Sequence, residues 1–172
     1  MFVVAVLIGE NPLYRGVRIG QFGKPFEMLK FRSMVMNADK MGGASTPGDD
    51  PRITKIGRIL RKWKLDELPQ LFNILMGKMS FVGPRADVKE YIDMMLKEER
   101  DLILSVLPGL TDLATLENMS EGERLRGSDD PERDYMKKIR PMKVRLQIEY
   151  VKTKSFMLDL KILIYTLWRL IF

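Results

Sequence analysis

The stretch PRITKIGRILRKWKLDELPQLFNILMG, residues 51–77, decides how the rest of the chain is read. In its first half Ile53, Ile56, Leu60 and Trp63 recur at three- and four-residue steps, which predicts an amphipathic helix. Arg52, Lys55, Arg58, Arg61, Lys62 and Lys64 occupy much of the remaining surface. Such a helix either packs on a core with its basic face in water, or turns that face to phosphates or anionic headgroups. In the second half Leu68, Leu71, Phe72 and Leu75 predict another helix, with those side chains in the core and Gly77 ending it. Two adjacent carboxylates, Asp66 and Glu67, stand at the junction, with Pro69 just beyond. Acidic residues in a first helical turn are stabilised by its free N–H groups and dipole, so capping alone can account for the pair. The same surroundings also favour an ionised carboxylate that attacks phosphorus or ligates a hard cation.

Composition narrows the chemistry. The chain has 172 residues, enough for one domain with a buried core. It contains no His and no Cys, which excludes an imidazole base, a thiolate nucleophile, a structural Cys/His zinc site and a disulfide. Reaction chemistry must rest on Asp, Glu, Lys, Arg, Ser, Thr or Tyr, with any metal a hard cation held by oxygen. A net charge of +6 favours an acidic partner: nucleic acid, anionic lipid or a phosphorylated small molecule. No recognised nucleic-acid motif or aromatic strand platform is present, so no nucleic-acid partner is expected.

Outside the central stretch, YRGVRIG (14–20) and FEMLKFRSM (26–34) predict a β-hairpin turning at Gly23. GGASTPGDDP (42–51) reads as a turn-rich loop long enough to be a lid or binding loop. KMSFVGPR (78–85) predicts a short strand and a Gly-Pro turn that presents Arg85. Residues 86–106 have helical spacing, Asp130-Pro131 marks a helix start, and Pro141 suits the first turn of a helix running to about Thr153. Ser155 caps the last segment, 155–172, whose apolar run carries Asp159, Lys161 and Arg169; it is expected to be a buried or membrane-interface helix rather than a span. The first eight residues, MFVVAVLI, are too short to cross a bilayer and read as a buried turn or as the remnant of a longer apolar helix. The fold expected is α+β and predominantly α-helical: a single small domain over 1–172, with a β-hairpin and a membrane-interface C-terminal helix.

GENPLYRGVRIGQFGKPFEMLKFRSM (9–34) and DDPRITKIGRILRKWKLDELPQLFNILMGKMSFVGPR (49–85), with LPGLTDLATLE (107–117) and IEYVKTKSFMLDLKIL (148–163), closely resemble the bacterial sugar transferase family, the monotopic polyprenyl-phosphate phosphoglycosyl transferases. The resemblance implies transfer of a sugar 1-phosphate from a UDP-sugar to a polyprenyl phosphate such as undecaprenyl phosphate, releasing UMP, as the first membrane step of glycan assembly. By the same match Asp66 would attack phosphorus to form a covalent phosphosugar intermediate, and Glu67 would help position the metal or the acceptor. Mg²⁺ would be held at Asp66 and Glu67. Arg61 and Arg85 match donor-phosphate positions, and Lys30 and Arg32 match a second basic block that contacts phosphate or headgroups. The implied location is the cytoplasmic face of the bacterial inner membrane. Relatives carry a membrane-dipping helix before the GENP-like region, of which residues 1–8 would be the remnant. The segment TLENMSEGERLRGSDDPERDY (115–135) departs from the common family block and resembles a subset, a difference that bears on sugar choice. A catalytically silent membrane or assembly partner of the same fold is the alternative. The enzymatic reading requires Asp66 to face Arg61 and Arg85 with room for a diphosphate.

Overall fold

The computed structural model describes residues 11–42, 45–117 and 121–171. Residues 1–8, read above as a helix remnant, lie outside the described residues. The hairpin forms as expected: β1 (Leu13–Ile19) and β2 (Pro25–Phe31) pair antiparallel, with Leu13 opposite Phe31 and Ile19 opposite Pro25. Its turn uses Gly23 at φ +74°, where glycine carries no steric penalty, beside Phe22 at φ +57°. β3 (Ser80–Val82) pairs in parallel with β4 (Gly109–Thr111), a strand that the sequence pattern did not suggest. The two meet closely because both are glycine-lined: a Cβ on Gly109 would lie 2.1 Å from the Gly83 nitrogen.

Eight helices are described. The basic one, α1 (Lys55–Lys62), starts where the Thr54 hydroxyl accepts from Gly57 N–H at 2.9 Å. α2 (Gln70–Leu75) follows a single 3₁₀ turn, Leu65–Glu67, that carries the acidic pair. The 86–106 region is split into α3 (Lys89–Asp93) and α4 (Lys97–Ile103) rather than running as one helix. α5 (Glu121–Leu125) and α6 (Pro131–Asp134) lie in the charged segment, and Asp130 caps α6 by accepting from Arg133 N–H at 3.0 Å. α7 (Arg140–Thr153) and α8 (Phe156–Ile171) complete the chain, with Ser155 Oγ accepting from Leu158 N–H. Helices with two small sheets make the fold α+β, as expected.

Apolar burial is spread over small clusters: Phe26, Met28 and Met79 under the hairpin; Ile19, Ile92, Met95 and Ile103; Tyr91, Leu125, Tyr135 and Ile139; Val82, Tyr150 and Ile162. The loop expected to be a lid or binding loop is tied to the charged segment by hydrogen bonds. Gly48 N–H donates to Gly122 O at 2.8 Å, Gly127 N–H to Asp49 at 3.2 Å, and Ser45 N–H to Glu132 at 3.2 Å.

The orientation of α2 overturns its sequence reading. Leu71, Phe72 and Leu75 were expected in the core, yet all three are exposed, Leu75 at 82%, while Gln70 and Asn73 are buried. The Asn73 amide explains this: it accepts from Leu29 N–H at 2.9 Å and donates to Glu27 O at 2.8 Å, tying the helix to β2 by its polar face. Gly57 sets the other contact, because a Cβ there would sit 1.8 Å from the Ser33 carbonyl oxygen. Gly57→Ala is therefore expected to cost about 1–3 kcal/mol, as overpacking against backbone does. Urea unfolding would measure this; a midpoint equal to wild type would show that α1 does not need that approach.

Candidate active site

Lys64, at φ +54°, breaks the chain out of α1 and starts the 3₁₀ turn that carries Asp66 and Glu67. Neither carboxylate caps a helix. Instead Glu67 is gripped by both arms of Arg85, Nη1 to Oε2 and Nη2 to Oε1, each at 2.9 Å. Arg85 is delivered by the Gly-Pro turn after β3, and its Nη1 also donates to Leu110 O on β4. Lys30 Nζ, from β2, approaches Glu67 Oε1 at 3.7 Å. Burial alone would raise the Glu67 carboxyl, but Arg85 and Lys30 outweigh it and hold the group well below the usual carboxylate range.

Asp66 has the opposite environment. It is 5% exposed, and its buried Oδ1 has no hydrogen-bond partner. Burial pushes its carboxyl above the ordinary value; Lys30 and Arg61 pull it down, and the neighbouring Glu67 charge pushes it further up. Arg61, on the last turn of α1, is anchored by Nε donating to Ser33 Oγ at 2.9 Å. Burial lowers the Arg61 pKa, and Asp66 is the strongest of the acidic groups opposing that change. Two carboxylates side by side are thus differentiated. One is locked in a bidentate pair, and the other is enclosed and short of a partner.

Of the expected basic residues, Lys30, Arg61 and Arg85 converge on the pair and Arg32 does not. Its guanidinium donates to the Asn11 and Leu13 carbonyls and lies over the Tyr14 ring. Arg85, expected on a donor phosphate, is largely committed to Glu67. The requirement that Asp66 face Arg61 and Arg85 with room for a diphosphate is met only for Arg61: Arg85 turns to Glu67, Asp66 is nearly enclosed, and a cavity of about 460 Å³ lined by residues including Phe22, Lys89 and Arg100 does not include it. The sequence reading overlooked Gln70, fully buried one turn after Asp66, although its four-residue spacing from the dyad was visible.

A metal was expected at Asp66 and Glu67. Among the described residues no group of three or more Asp, Glu, His or Cys side chains is placed to hold one. Mg²⁺ is commonly held by one or two carboxylates together with substrate phosphates, and the Asp66 carboxylate, which Arg85 does not hold, fits such a role. Glu67, with both oxygens taken by Arg85, fits it less well.

Comparison with known proteins supplies the class to which this acidic-basic site belongs. Residues 1–172 match the family described as bacterial sugar transferase, and the chain belongs to that family of transferases. It is 37% identical over 169 residues to the uncharacterized sugar transferase EpsL of Bacillus subtilis, covering 96% of this chain and 74% of that protein. It is 38% identical over 160 residues to the UDP-glucose:undecaprenyl-phosphate glucose-1-phosphate transferase of Escherichia coli, covering 91% of this chain and 32% of that protein. It is 42% identical over 120 residues to the undecaprenyl-phosphate galactose phosphotransferase of Salmonella typhimurium, covering 61% of this chain and 25% of that protein. The chain thus spans a third or less of those two named transferases.

Proposed function

We propose that the chain transfers a sugar 1-phosphate from a UDP-sugar to undecaprenyl phosphate or a similar polyprenyl phosphate, with Asp66 as the nucleophile. What supports this reading is membership of the sugar transferase family together with an Asp66 carboxylate beside Lys30 and Arg61; because Asp66 is 5% exposed, the reaction requires the side chains over it to move aside for the donor. A carboxylate oxygen of Asp66 attacks the phosphorus that bears the sugar. The phosphorus–oxygen bond to UMP breaks, and UMP leaves with the electron pair. A polyprenyl phosphate oxygen then attacks the aspartyl phosphate, which frees the carboxylate and yields the polyprenyl diphosphate sugar. Mg²⁺, when bound, neutralises diphosphate charge next to Asp66. Arg61, with only Nε spent on Ser33, is placed to hold a donor phosphate oxygen, and Lys30 adds charge between the two carboxylates. The Arg85–Glu67 pair holds the turn in place so that Asp66 keeps its direction. Segment 115–135, joined to α7 through Glu121 and Lys143 at 2.6 Å, is proposed to influence sugar choice.

UMP release from a panel of UDP-sugars with Mg²⁺ and polyprenol phosphate tests the reaction, and intact-mass analysis without acceptor tests the covalent step. A sugar-phosphate adduct on the chain is expected. Turnover with no adduct under rapid quench would point to direct transfer instead.

The acceptor implies a lipid surface. No described helix is long and apolar enough to cross a membrane. Exposed apolar side chains are instead presented by α1 (Ile59, Trp63), by α2 (Leu71, Phe72, Leu75, Met76) and along α8, where Phe156 is 80% exposed. Exposed apolar area of this kind marks an interaction surface, and the inverted α2 fits a helix whose solvent on that side is lipid. This reading places the protein on a membrane, at the cytoplasmic face where nucleotide sugars are available. Leu75→Asp is expected to weaken liposome partitioning about tenfold or more, from the roughly 1.5–3 kcal/mol that burying one leucine contributes. Flotation unchanged by Leu75→Asp and Phe72→Asp together would remove α2 from the membrane face.

A further inference from the structure

The turn that carries the dyad holds a second group without partners. Gln70 is 0% exposed, and neither its Oε1 nor its Nε2 makes a hydrogen bond. Asn73, equally buried, shows what a structural amide does in this helix, since both its ends are used by β2. Gln70 has no such task. An unpaired buried polar group costs on the order of 1–3 kcal/mol, and an apolar side chain of similar length would avoid that cost. From Asp66 to Gln70 the backbone stays right-handed helical, with Leu68 at φ −52°, ψ −37° and Pro69 at φ −61°, ψ −18°. The bonds through this stretch run to the third residue back, Leu68 N–H to Leu65 O and Leu71 N–H to Leu68 O, so the chain stays tightly wound from Asp66 to Gln70. The buried Oδ1 of Asp66 and the buried Gln70 amide thus stand four residues apart on one tightly wound stretch, and neither bonds the other or any other protein group.

We propose that Gln70 is the positioning residue of Asp66. In the loaded site its Nε2–H holds Asp66 Oδ1, directly or through one water, and leaves the other carboxylate oxygen a single direction toward the ligand. The inference rests on the reading of Asp66 as the reacting carboxylate. A carboxylate free to rotate would lose part of the benefit of being placed next to its target, and the surrounding groups that fix it keep that benefit. Gln70 lies deeper than Asp66, so it acts through that side chain and not on the substrate.

The full chain in detergent is melted against increasing Mg²⁺ and assayed for UMP release, as wild type, Gln70→Met and Asp66→Asn. Gln70→Met is expected to melt at or above the wild-type temperature without metal, because it deletes an unpaired amide. Its Mg²⁺ midpoint is expected to rise about 10–100-fold and its kcat to fall by a similar factor, the usual effect of removing a group that orients a ligating side chain. Donor KM is expected to stay within about twofold, since the substrate is not touched. Asp66→Asn is expected to lose the Mg²⁺ response entirely. If Gln70→Met melts below wild type, Gln70→Leu, which also deletes the amide without adding charge, takes its place with the same expected losses. An unmoved Mg²⁺ midpoint and kcat in the folded variant would overturn the proposal, as would a wild-type melt indifferent to Mg²⁺. A midpoint shifted by Gln70→Met in a chain that releases no UMP from any UDP-sugar would leave the positioning role standing and remove the transferase reading.

Discussion

Asp66→Asn is expected to abolish UMP release while leaving the protein as stable as wild type, or more so. The loss of turnover should be at least about 10³-fold, the scale set by removing a member of a covalent catalytic apparatus. The stability effect follows from burial. Asp66 is enclosed with Oδ1 unpaired, and its carboxyl is raised above the ordinary 3.8 chiefly by desolvation. A raised native value means that the folded state binds the proton more tightly than the unfolded chain. Its contribution to stability is therefore fully present below the ordinary value and is lost as pH rises through the raised one. As pH rises through that raised value, the wild type comes to carry an enclosed charge that Asn lacks. Melting both proteins between acid and neutral pH should show the variant gaining on the wild type as pH rises. A variant that keeps turnover removes Asp66 as nucleophile; one that unfolds at neutral pH shows that the carboxylate is structural.

Arg85→Ala is expected to produce the largest loss of stability, about 3–5 kcal/mol, because it leaves the Glu67 carboxylate enclosed with only Lys30 nearby. The pair is mostly shielded, with side-chain exposures of 27% and 14%, so solvent screening does not remove the effect. Its pH dependence has the opposite sign to that of Asp66. Arg85 and Lys30 hold Glu67 below its ordinary 4.5 against the desolvation that opposes them, so its contribution is present above that value and is lost as pH falls below it. Urea unfolding should show a wide gap between wild type and Arg85→Ala at pH 7 that narrows in acid. Arg85→Lys keeps the charge and loses the two-pronged geometry, so an intermediate loss is expected. A gap under about 1 kcal/mol at pH 7 would match an exposed pair and contradict the geometry seen here.

Much of the site was legible in the sequence. Asp66, Glu67, Arg61, Lys30 and Arg85 were all named as candidates from motif and resemblance, and the structure brings them together. Arg32 was not separable from Lys30 in KFRSM, because only the path of the chain into β1 supplies the Asn11 and Leu13 carbonyls that occupy it. The division of labour within the dyad was hidden as well. Glu67 depends on an arginine 18 residues away, and nothing in DELPQ tells which carboxylate receives it. Gln70 was passed over because a polar residue early in a helix is ordinarily solvent-facing.

By itself the sequence determined the elements and the chemistry available. The hairpin, the basic helix, the helix starts at Asp130 and Ser155, and the restriction to carboxylates and hard cations all follow from local spacing and composition. Only the tertiary structure decided which faces turn inward. An amphipathic helix has an apolar side whether its neighbour is a protein core or a lipid, so periodicity cannot choose between them. In α2 the choice was made by hydrogen bonds from Asn73 to backbone groups of β2, 44 and 46 residues earlier in the chain. Those bonds put the amides inside and the leucines outside, and with them placed Asp66 and Gln70 on the enclosed side of one turn.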